Sequence, residues 1–139
     1  MAGVIDYQKM AEEVGQLHIG FSKMFHFEES FLIHGSDRIL IWMDQKNDTV
    51  YATDIVNQFS LSPGRVANIV KQLELKKLIR RVRDEKDLRR YKIELTEQGK
   101  RKAKESWEAV VGGYAALFEK MEAEDVDNML HLMKKLASL

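Results

Sequence analysis

Arg65, Asn68 and Gln72 stand at i, i+3 and i+7. On an α-helix that spacing sets three side chains on one face. Arginine, asparagine and glutamine are also the side chains that make paired hydrogen bonds to purine edges in a DNA major groove. Further along, Arg83, Lys86, Arg89, Arg90 and Lys92 crowd a short stretch that also holds Asp84 and Asp87. Cations gathered at a turn suit phosphate oxygens, which supply affinity without reading sequence. A solvated loop has the same composition. What these residues offer is recognition of a polyanion. Bond-making chemistry has no comparable set: there is no phosphate loop, no paired carboxylates at a plausible site and no nucleophile with its base, so no enzyme and no cofactor is expected.

The elements around these residues can be read from period and punctuation. Met10, Val14, Leu17, Phe21, Met24 and Phe25 form one apolar stripe, which predicts a long helix over residues 6–27. Residues 28–35 read as a connection. Ser36 is a candidate cap for a second helix whose buried part is Ile39 to Met43. A short helix over 52–59 is expected to bury Ile55, Val56 and Phe59. Ser62 and Pro63 then start another, with serine at the cap and proline at the first helical position. Its core face is Val66, Ile69, Val70 and Leu73, opposite the Arg65 face. After Ile79 the period falls from 3.6 to two. Residues 79–82 and the alternating Tyr91, Ile93 and Leu95 pair as a β-hairpin with the charged stretch at its tip. Thr96 caps a long helix over 97–119, and a last helix covers 123–138. Gly112 and Gly113 inside the long helix mark either close approach of a partner or a kink.

The predicted fold is mainly α with a small β-hairpin: a winged helix-turn-helix core flanked by long helices, in a single domain over residues 1–139. The chain has no cysteine, so disulfides and thiolate chemistry are excluded. It shows no transmembrane run and no signal-peptide block, which reads as a soluble cytoplasmic protein with no membrane partner. Its net charge is zero, but the average conceals a division. Residues 61–104 hold fifteen Lys and Arg against six Asp and Glu, a surplus of nine positive charges. The remainder carries seven basic and sixteen acidic residues, an equal negative surplus. Such a field steers a polyanion to one face and repels it from the others.

Charge, helix face and hairpin therefore converge on double-stranded DNA as partner. The expected contacts are Ser62, Gly64, Arg65, Asn68, Lys71 and Gln72 on the helix, and Arg89, Arg90 and Lys92 on the wing. Arg89 is placed to reach a minor groove while the helix occupies the major groove. Asp87 is expected to orient Arg89 through a charge-assisted bond.

Residues 54–99 resemble the winged core of the multiple-antibiotic-resistance regulator (MarR) family. "LSPGRVANIVKQLELKKLIRR" is similar to that family's recognition helix and first wing strand. "DLRRYKIELTEQGK" is similar to its wing signature, with Asp87, Arg89, Leu95, Thr96 and Gly99 in the signature positions. Three positions depart from the family's habit: Leu88 replaces a second arginine, Lys77 a glycine, and Tyr51 the polar cap before the short helix. The resemblance implies a core over 36–96, dimerisation helices over 1–35 and 97–139, and a homodimer on a near-palindromic operator. It also implies a ligand-responsive regulator, usually a repressor, with a cavity between the dimer helices and the reading head. His18, Phe21, Phe25, Trp42 and Met43 are the candidate lining for a lipophilic or phenolic effector. The same aromatic and methionine spacing also describes plain core. His18, His26 and His34 could instead serve a metal sensor, although no complete ligand set closes and no metal is assigned. A winged module that binds protein rather than DNA would keep the fold, but would have no use for the basic segment.

Overall fold

A computed structural model describes residues 3–24 and 35–139 of the chain. Among the described residues, six helices and one hairpin follow in order: α1 (Tyr7–Met24), α2 (Gly35–Lys46), α3 (Ala52–Phe59), α4 (Pro63–Leu75), β1 (Ile79–Arg83), β2 (Tyr91–Leu95), α5 (Glu97–Phe118) and α6 (Ala123–Ala137). The predicted extension of the first helix past Met24, and the connection after it, lie outside the described residues. Ser36 falls in the first turn of α2 rather than at its cap, because the helix already includes Gly35. The helix-period face of α5 runs through Gly112 and Gly113 without interruption.

The core forms where the apolar stripes of short elements meet. Ile39, Leu40 and Met43 of α2 pack with Ile55 of α3, Val66 and Val70 of α4, and Ile93 of β2. Val56 and Phe59, expected inside, are only partly buried at its margin. The strands pair antiparallel with Ile79 opposite Leu95 and Arg83 opposite Tyr91. A third strand of one residue adds to this hairpin. Val50 and Ile93 exchange both backbone hydrogen bonds, at 3.0 and 2.7 Å, so the segment before α3 is stitched to the wing.

Local chemistry sets the joints. The Ser62 hydroxyl accepts from the Arg65 amide at 3.2 Å, with Pro63 at the first helical position. Ser60 closes α3 in the left-handed region at φ 51°, which makes the tight turn between the two helices. Lys77, at φ 61°, does the same after α4. The Leu78 amide then reaches back to Leu73 at 3.0 Å, a Schellman closure that usually employs glycine. The Thr96 hydroxyl accepts from Gly99 at 3.0 Å and donates to the Lys77 carbonyl at 2.7 Å, tying the start of α5 to the end of α4. Gly99 is buried against that joint, and a Cβ there would overlap the Leu78 carbonyl.

The terminal helices are a different matter. Met10, Val14 and Leu17 on α1 are each more than half exposed, and α6 buries no residue while leaving Leu132, Met133 and Leu136 open.

Two substitutions test the joint. Gly99→Ala forces the α4–α5 contact apart and should cost at least about 2 kcal/mol in urea unfolding, as overpacking against backbone does. Lys77→Gly relieves the left-handed strain and should raise stability by about 1 kcal/mol in the same assay.

Candidate nucleic-acid interface

Helix α4 buries Val66, Val70 and Leu73, and this choice of core face decides what faces outward. Arg65, Asn68, Lys71 and Gln72 are all exposed, as are Ser62 and Gly64 at the helix start. Nothing stands within 4 Å of the space above Gly64, so the first turn is open to a closely approaching anion. Beside this face lies a cleft of about 380 Å³ bordered by Arg65, Asn68 and Gln72 on α4 and by Gly35 and Ser36 on α2.

The wing tip, residues 84–90, is a compact turn. The Asp84 amide donates to the Arg90 carbonyl at 3.0 Å, and the Arg90 amide donates to the Asp87 carbonyl at 3.0 Å. The Asp87 carboxylate accepts from the backbone amide of Arg89 at 3.0 Å. The expected bond from Asp87 to the Arg89 guanidinium is therefore replaced by a local side chain–backbone turn, the commoner use of aspartate two residues ahead. Arg89 itself is exposed, and its guanidinium takes part in none of the ion pairs among the described residues.

Arg90 and Lys92, expected on phosphates, also have neighbours within the chain. Arg90 is exposed, and its guanidinium carbon lies over the Tyr51 ring, 3.7 Å from its centre. Lys92 is partly buried. Both face Asp84, which is 4% exposed and is the buried charged residue among those described. The Tyr51 hydroxyl donates to one Asp84 oxygen at 2.5 Å, and the Lys86 amide donates to the other at 3.0 Å. The Tyr51 hydroxyl, then the Lys86 amide, with help from Lys92 and Arg90, hold the Asp84 carboxyl below its ordinary range against the opposing effect of burial. The same bond, together with burial and the Asp84 charge, raises the Tyr51 phenol above its ordinary value. Neither residue was singled out by the spacing of the charged stretch. The signal was Tyr51 itself, a large aromatic where a small capping residue would serve.

Acids elsewhere in the basic segment are also engaged. Glu74 pairs with Arg81 at 3.1 Å, Glu94 with Arg80, and Glu97 with Lys100 at 3.4 Å. These exposed pairs contribute little stability.

Of the proposed effector lining, Met43 and Trp42 lie in the winged core. Met43 is 1% exposed in the reading-head core. Trp42 packs edge-on against Phe59 at 5.6 Å, with Lys46 over its ring. The cleft of about 260 Å³ that Met43 borders is lined by Asp44, Asp48, Arg80 and Lys100, a polar set unsuited to a lipophilic guest. His18 lies on the exposed length of α1. The Phe21 side chain, Phe25, His26 and His34 lie outside the described residues. Among the described residues, no group of three or more His, Asp and Glu is arranged to hold a metal, and no helix is long and apolar enough to cross a membrane.

Comparison with known proteins agrees with this geometry. Residues 38–106 match the family described as transcriptional regulator SarA/Rot. No curated protein sequence is significantly similar. Among solved structures, YusO of Bacillus subtilis superposes with a TM-score of 0.68 at 22% identity, covering 97% of this chain and 99% of that one. A cysteine-to-serine mutant of Escherichia coli MarR gives 0.68 at 15% identity over 97% and 98%. A glycine-to-lysine mutant of Staphylococcus aureus MepR gives 0.69 at 23% identity over 96% and 98%. MepR is a transcription regulator of the multidrug efflux pump MepA.

The Tyr51–Asp84 bond has a pH signature. The Asp84 value is depressed on folding, so its contribution is present above the unfolded carboxylate value and lost as pH falls through the folded one. The Tyr51 value is raised, so its contribution holds below the unfolded phenol value and is lost as pH rises through the folded one. The difference in Tm between wild type and Tyr51→Phe should therefore be flat from about pH 5 to 9 and shrink below about pH 4, as thermal melts across pH would show.

Proposed function

We propose that the chain is a transcriptional regulator of the winged-helix MarR/SarA type, a homodimeric repressor that reads a near-palindromic operator through α4 and the wing. One observation carries the reading. The exposed face of α4 presents Arg65, Asn68 and Gln72 together, beside a cationic wing, within the segment that holds the whole positive surplus. In this arrangement Arg65, Asn68 and Gln72 meet base edges, with Lys71 and the open first turn at Ser62 and Gly64 on phosphates. Arg89 enters the adjoining minor groove.

The homodimer reading is supported by the apolar faces of α1 and α6, which find little to pack on within one chain. Isologous pairing of those faces would set two reading heads about a two-fold axis, with half-sites about one DNA turn apart. Repression then follows from occupancy of a promoter. An effector that binds the dimer with a different head separation would release DNA in proportion to its preference for that state.

The test is binding to fragments of the chain's own upstream region, followed by salt titration and substitution. A dimer that neutralises about eight phosphates should show log K falling against log salt with a slope of about −7. Arg65→Ala and Asn68→Ala should each cost about 1–3 kcal/mol and relax base choice at one position of each half-site. Arg89→Ala should weaken binding sharply while leaving the circular-dichroism melt in place. Absence of any shifted fragment at low salt would overturn the reading.

A further inference from the structure

A two-stranded hairpin is marginal by itself, yet the wing must hold Arg89 in one place beyond the last paired residues, Arg83 and Tyr91. At its base the wing is fixed by the two backbone bonds between Val50 and Ile93. Those bonds stop at the residue before Tyr51. Farther out, the attachment passes to side chains. Tyr51 caps α3, and its own amide is held by Asp54 at 2.8 Å, so the ring leaves the helix start in a fixed direction. Its hydroxyl enters the wing and meets Asp84 at 2.5 Å. Asp84 is the first residue of the tip, and its second oxygen organises the turn through the Lys86 amide. Arg90, the last residue of the tip, closes over the outer face of the same ring at 3.7 Å. One aromatic side chain therefore touches both ends of the tip that carries Arg89.

We propose that Tyr51, Asp84 and Arg90 form a latch that clamps the wing tip to the start of α3 and so sets the position of Arg89 for the DNA contact. This rests on the DNA-binding reading above, in which Arg89 touches DNA. The three latch members are positioning residues. Arg90, placed over the ring, is withdrawn from the phosphate contacts that its charge alone suggests. The latch also accounts for the tyrosine at a helix cap: a small capping side chain would satisfy the helix start but could not span to the wing.

Two measurements decide it. The first needs no DNA. In Tyr51→Phe the ring stays and the hydroxyl goes, so amide hydrogen exchange of Asp84 and Lys86 should quicken about tenfold while Val70 in the core of α4 stays unchanged. Unaltered exchange at the tip would overturn the latch. The second is a double-mutant cycle on a DNA fragment that the wild type binds. Tyr51→Phe should weaken binding about threefold to tenfold, the scale of one lost hydrogen bond. In an Arg89→Ala background the same change should cost nothing more, because the residue being positioned is absent. Equal losses in both backgrounds would mean that Tyr51 acts apart from Arg89, and the proposal would fail. If no fragment binds the wild type, the regulator reading fails with the positioning role, while the exchange experiment still decides whether the clamp exists.

Discussion

Leu78 joins three elements through the backbone of one residue. Its amide closes α4 on Leu73, its carbonyl accepts the Thr96 amide at 3.1 Å, and Gly99 lies against that carbonyl with no room for a side chain. Helix α4, the returning wing strand and the long helix α5 therefore meet at a rigid corner. Packed joints of this kind move as units rather than bending smoothly. A change in the direction of α5 has to carry α4 with it, which is what any control exerted through the outer helices requires. The left-handed backbone at Lys77 is the local cost of turning the chain so sharply there.

The wing depends on a second division of labour. Its acids are turned to structural use: Asp84 inward to Tyr51, Asp87 onto the backbone of Arg89, Glu94 to Arg80 and Glu74 to Arg81. Each such contact is small by itself. Of these acids only Asp84 is buried, so it alone is taken from the surface.

Much of this molecule was legible because its helices announce themselves. The stripe of Val66, Val70 and Leu73 placed α4, and Ser62, Pro63 and Thr96 marked starts that the structure reproduces. The change of period at Ile79 placed the hairpin. What escaped were features without a period. Val50 pairs as a single residue, and one residue has no alternation to read. Tyr51 and Asp84 meet across 33 positions of chain, and neither type predicts the other. Asp87 bonds to a backbone amide because a short side chain finds its neighbour's N–H before a distant guanidinium. Met43 and Trp42, grouped with a pocket, pack in the winged core, as methionine and aromatic residues at helical spacing commonly do.

The balanced total charge has a kinetic meaning. A chain whose positive and negative halves cancel exerts no net pull on DNA from afar, and at physiological salt even local fields fade within about 8 Å. Encounters begin without long-range attraction, and steering is confined to close approach. Only in the last few ångströms does the molecule feel a torque, which swings the basic side inward and turns the acidic ends away. Such a protein spends little time adhering to arbitrary stretches of duplex in the wrong attitude, and short-range fit rather than bulk attraction governs how long it stays.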